Sequence, residues 1–87
     1  MTVRFAPTAE AKFLGVIAYI LDESPTAAWA FHDSALGTSS RLREFQKSGR
    51  VIPEFPALPY REVIVKPYRF FYRIVGKEVW IVDVWHD

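Results

Sequence analysis

The sequence predicts an α+β fold in which an antiparallel helical hairpin covers one face of a sheet. Three observations carry this. The elements run strand, helix, helix, strand, strand, strand (β-α-α-β-β-β). Only Ser24-Pro25 separates the two helical stretches, and so short a link folds consecutive helices back on each other. Gly76-Lys77 joins two runs rich in Val, Ile, Phe, Tyr and Trp, which is the pattern of a two-residue hairpin.

Residues 2–6 alternate polar and apolar and read as a short strand that Pro7-Thr8 breaks. Thr8 is placed to cap a first helix from about Ala9 to Asp22, with Glu10 in the first turn, where the helix dipole favours an acid. Phe13, Ile17 and Ile20 recur at helical spacing, widened by Leu14 and Leu21. Ser24 then suits an N-cap and Pro25 the first helical position, where a missing N–H costs nothing. Phe31, Ala35, Thr38, Leu42 and Phe45 form a narrow stripe along the second helix. Gly37-Thr38-Ser39-Ser40 is a weak stretch within it by propensity.

Gly49, Pro53, Pro56 and Pro59 mark residues 48–59 as a loop. Tyr60–Lys66, Tyr68–Val75 and Glu78–Trp85 follow as three strands. With Gly76-Lys77 as the whole turn, an unbroken ladder sets Arg73 against Trp80, Phe71 against Val82 and Arg69 against Val84. Arg69, Phe71, Arg73, Trp80, Val82, Val84 and His86 then share one face, which places His86 near Arg69. Tyr68, Phe70, Tyr72, Ile74, Val79, Ile81, Asp83 and Trp85 take the other. Both faces are largely apolar, and two helices cover only one, so the second is expected to meet a partner.

Composition narrows the function classes. With 87 residues, the chain is read as a single domain, 1–87. At 51% hydrophobic and 16% aromatic residues, it is too apolar to be disordered. The absence of cysteine excludes disulfides, thiolate metal sites and cysteine nucleophiles. Two isolated histidines offer no metal site, and no cofactor is expected. No apolar run approaches the roughly 20 residues of a membrane span, and a cytoplasmic protein is expected. The net charge of +1 is uneven. Residues 41–77 hold nine Lys or Arg against three Glu, whereas residues 1–40 hold two bases against four acids and residues 78–87 three acids alone. This is not the broad basic surface of a duplex-DNA binder.

Three stretches resemble the RelE/ParE superfamily of type II toxins, most closely its ParE-like branch: FAPTAEAKFLGVIAYILDESPTAAWAF (Phe5–Phe31), LREFQKSGRVIPEF (Leu42–Phe55) and YREVIVKPYRFFYRIVGKEVWIVDVWH (Tyr60–His86). The resemblance implies a growth-inhibiting toxin of a toxin–antitoxin system of the plasmid-stabilisation type. It implies neutralisation by a ParD/RelB-like antitoxin, with higher-order complexes of the two, and DNA gyrase as target. For RelE-type relatives it implies instead a ribosome-dependent mRNA endoribonuclease. There Glu54, Arg69 and His86 match the catalytic Glu, Arg and His, although Asp87 stands where the nucleolytic pattern has Tyr. On this resemblance and the face assignment, Arg61, Arg69, Arg73, Phe71, Trp80 and Trp85 are the expected target or partner contacts.

Overall fold

The computed structural model describes residues 1–87. In chain order the elements are β1 (Thr2–Phe5), α1 (Pro7–Glu23), α2 (Pro25–Glu44), β2 (Arg50–Val51), β3 (Arg61–Val65), β4 (Tyr68–Val75) and β5 (Glu78–His86). They build one five-stranded sheet in the order β1-β5-β4-β3-β2. The two helices pack on its inner face. The N-terminal strand joins the last strand in parallel, and the short β2 extends the opposite edge from within the predicted loop. No helix is long and apolar enough to cross a membrane.

Helix α1 starts two residues earlier than predicted. Ala6 is its N-cap, without a side-chain bond, and Pro7 opens its first turn, so Thr8 lies inside the helix and caps nothing. Helix α2 follows the expected pattern at its start, where the Ser24 hydroxyl accepts the Ala27 N–H at 3.1 Å. It then runs unbroken through Gly37–Ser40. Burial of Ala35, Thr38 and Leu42 overrides the poor local propensity. Phe45, the last residue of the predicted stripe, falls at the C-cap and is exposed.

The core lies between the hairpin and the inner face. Phe5, Phe13, Phe31 and Phe70 meet there, with ring centroids 5.3 Å apart for Phe5–Phe13, 5.8 Å for Phe13–Phe31 and 6.0 Å for Phe13–Phe70. Each such pair adds about 0.5–1.5 kcal/mol beyond the area it buries.

The hairpin turn holds as predicted. Gly76 takes φ +58° and Lys77 does not take a positive φ, so the left-handed position falls where only glycine adopts it freely. Val75 pairs with Glu78, and the ladder continues to Tyr72 against Ile81. It then slips. Phe71 pairs with Asp83, leaving Val82 as the extra residue of a bulge. Because side chains alternate, one extra residue exchanges the faces of everything beyond it. An unbroken ladder would place Asp83 beside Ile81 in the core. The bulge turns Asp83 outward and brings Val84 into the core instead.

Candidate functional site: the outer face of the sheet

The bulge corrects the predicted neighbourhood of Arg69. Its cross-strand partner is Trp85, whereas His86 pairs with Tyr68. His86 therefore faces the helical side, where its ring stands edge-on to Tyr68 at 5.0 Å and its Nδ1 lies 3.0 Å from the Asp87 carbonyl oxygen. Glu54 and Arg69 do come together, with a carboxylate oxygen 3.7 Å from the guanidinium. Of the three residues matched to the nuclease pattern, the structure gathers two and leaves His86 on the far side.

Arg69 is held chiefly by Glu62. The Glu62 carboxylate is fully buried and accepts from Arg69 Nε at 2.7 Å, from a terminal nitrogen of the same guanidinium, and from Arg50 Nε on β2. The Glu62 bond holds the Arg69 guanidinium above the usual arginine range, against the opposing effect of desolvation. Glu62 reaches two strands because it sits on β3 between them, opposite Phe71 on one side and Arg50 on the other. A buried carboxylate with one cation is a liability, and a second cation with further hydrogen bonds compensates it.

Arg61 points the other way. It shares the inner face with Tyr72 and donates to the carbonyl oxygens of Gly49 at 2.9 Å and Lys47 at 3.5 Å. The Tyr72 hydroxyl closes the same corner, donating to Gln46 C=O at 2.7 Å and accepting the Gly49 N–H at 3.0 Å. Burial raises the Tyr72 pKa, partly offset by that N–H and by Arg61. Together these groups clamp the segment that follows α2.

On the outer face, Ile52, Phe55, Tyr60, Phe71, Val82 and Trp85 line a groove of about 270 Å³, with Glu54, Arg69 and Asp83 at its polar margins. Phe55 is 61% and Trp85 54% exposed, so this aromatic rim is open to a partner. Arg69 stacks over the Phe71 ring, 5.1 Å from its centroid, and Phe71 meets Trp85 edge-on at 5.4 Å. Asp83 accepts from Lys12 Nζ at 2.7 Å, from Trp85 Nε1 at 2.7 Å and from the Val84 N–H at 2.9 Å. Burial alone would raise its carboxyl, but these bonds outweigh it and hold the pKa below the usual range. Toward the hairpin turn the face continues through Arg73, which lies over the Tyr60 ring at 5.6 Å, and Trp80, its cross-strand partner.

Sequence reasoning placed Phe71, Val82, Trp80 and Arg73 on this face, but an unbroken ladder put Trp85 on the other one, from which the bulge moves it. It also missed the contribution of Ile52, Phe55 and Tyr60. These arrive from the proline-rich loop, whose path no periodicity encodes. No three His, Cys, Asp or Glu side chains gather to hold a metal ion.

Two helices on one face of this sheet, with an arginine- and aromatic-bearing face left open, define a small α+β domain. The same fold occurs in a structure described as the chromosomal ParDE TA system from P. aeruginosa. It superposes with a TM-score of 0.79 at 18% identity, covering 99% of this chain and 95% of that one. The family model described as ParE toxin of type II toxin-antitoxin system, parDE, matches residues 3–87, and the chain belongs to this family. No curated protein matches it.

Proposed function

We propose that the protein inhibits growth by acting on DNA gyrase and is neutralised by a ParD-like antitoxin. The observation that carries this reading is the open outer face, where a groove rimmed by Phe55 and Trp85 lies uncovered by the chain. Contiguous exposed apolar surface of this kind fits a macromolecular partner, and tryptophan and arginine are the side chains that dominate such contacts. A second apolar surface, the outward stripe of Leu14, Leu21, Trp29 and Leu36 on the helical hairpin, gives the antitoxin and the target separate places to bind.

The site's chemistry supports binding over cleavage. RNA cleavage needs a base and an acid converging on one phosphate with a free cation between them. Here His86 lies across the sheet from Glu54 and Arg69. Arg69 is already neutralised by Glu62, and Asp83 adds a further negative charge at the groove.

A supercoiling assay with purified gyrase tests the proposal. Dose-dependent inhibition, relieved by the product of the adjacent open reading frame, is expected. Unaltered supercoiling at saturating protein overturns the gyrase reading.

A further inference from the structure

Most cations on the outer face already have a carboxylate. Arg4 pairs with Glu78, Arg50 and Arg69 share Glu62, and Lys12, reaching across from α1, pairs with Asp83. Arg73 has none. It forms no salt bridge or hydrogen bond within the chain, and its Nε is buried without a partner. An unsatisfied buried donor on a charged group is costly, and an acceptor arriving from outside the chain would relieve it.

The surroundings define the missing group. Pairing across the sheet places Arg4 beside Trp80 and Trp80 beside Arg73, and the Arg73 guanidinium lies over Tyr60. Tyr60 also lines the groove that holds Phe71 and Trp85. A free cation thus lies over the Tyr60 ring, opposite Trp80 on the neighbouring strand, and borders an apolar groove. A planar guanidinium takes a carboxylate through two parallel N–H bonds.

We propose that Arg73 receives a carboxylate side chain of a protein partner, seated beside Tyr60 and Trp80 while the neighbouring apolar residues of that partner enter the groove. This rests on the reading of the outer face as a partner surface and names the chemistry that surface selects. A nucleic acid fits less well. Glu54, Glu62, Glu78 and Asp83 already occupy the other cations of this face. One free guanidinium remains, which matches a single carboxylate among apolar groups better than a chain of phosphates.

Side-chain NMR of the full-length protein, labelled with ¹⁵N-arginine, tests it through the Arg73 Nε–Hε resonance. The probes are acetyl-Phe-Glu-Phe-amide, its Gln counterpart and the oligonucleotide dT8. Saturable movement of the Arg73 signal with the Glu peptide is expected, with the Gln peptide bound at least about tenfold more weakly, as loss of one charge-assisted bond predicts. Arg73→Lys keeps the charge but loses the fork and should also bind more weakly, and Arg73→Gln should abolish the Glu preference. An unmoved Arg73 signal, equal binding of the Glu and Gln peptides, or tighter binding of dT8 overturns the proposal. The titration reads Arg73 whatever the target is, so a negative gyrase assay and a negative titration remain distinguishable. Should Arg73→Gln fail to fold, the wild-type titration decides alone.

Discussion

Arg69 lies directly opposite Trp85, and the next residue along β5, His86, lies opposite Tyr68 on the other side of the sheet. One step along β5 therefore passes from the partner of Arg69, which is anchored in the outer-face charge cluster, to His86, exposed at the edge of the core. The two residues have different physical roles.

That difference predicts opposite responses to alanine. Arg69→Ala leaves the buried Glu62 with Arg50 alone, and breaking a buried pair costs about 3 kcal/mol. In a domain of this size each kcal/mol lowers the melting temperature by roughly 4–8 °C, so a fall above about 10 °C is expected by calorimetry. His86→Ala, at an exposed position, should stay within about 0.5 kcal/mol of the parent. In a double-mutant cycle, Glu62→Gln and Arg69→Ala should couple by at least about 1 kcal/mol. Additive losses would show that Glu62 does not anchor Arg69.

Gly49 is required by contact rather than by backbone conformation. A Cβ there would stand 2.6 Å from Tyr72 Cε1 and Oη and 2.7 Å from the Glu62 carbonyl oxygen. Tyr72 is fully buried and has no room to withdraw. Gly49→Ala should destabilise by about 1–3 kcal/mol as an overpacked site. Tyr72→Phe removes the bonds to Gln46 and Gly49 and should cost about 1–3 kcal/mol for the groups left unpaired. Denaturant midpoints at constant slope measure both; a parent-like Gly49→Ala would mean the corner is looser than described.

Acid should weaken the fold through two carboxylates. Arg4 holds Glu78 below the usual carboxylate range, and bonds from Lys12, Trp85 and Val84 hold Asp83 there despite burial. A pKa lower in the folded chain than in the unfolded one stabilises above the unfolded value, about 4, and the gain is lost as pH falls through the folded value. Stability should thus be flat with respect to these two groups near neutrality and decline below about pH 4. Asp83→Asn should cost about 0.5–1 kcal/mol at pH 7 and shallow the acid limb of a denaturation-midpoint series. An acid limb identical to the parent's would remove Asp83 from this account.

Local chemistry made much of the fold legible. Ser24-Pro25 and Gly76-Lys77 each carry a turn or cap whose backbone geometry few other residues tolerate, and both structures follow them. Two features were hidden for different reasons. Strand β2 is two residues long, and its exposed Arg50 is placed by the distant Glu62 rather than by any periodic pattern. The bulge did leave a trace in Ile81-Val82-Asp83-Val84. Strict alternation from Val79 and Ile81 carries Asp83 into the core, where a carboxylate has no business without a partner. The phase break was readable as a charge in the wrong place.

The same reasoning makes Val82 dispensable to the register. Phe71 already pairs with Asp83, so deleting Val82 joins Ile81 to Asp83 with the pairings on either side unchanged. Asp83 then occupies the outward position by simple alternation, and Val84 stays inward. The deleted chain should fold with cross-strand contacts between Phe70 and Val84 intact, losing only the outer-face contact that Val82 gives the groove. Deleting Ile81 instead lets Val82 take the buried position opposite Tyr72, in effect an Ile-to-Val exchange, and should cost only about 0.5–1.5 kcal/mol more than deleting Val82. Proton NMR contacts between Phe70 and Val84 decide the matter. If they vanish on deletion of Val82, the bulge sets the register rather than accommodating it.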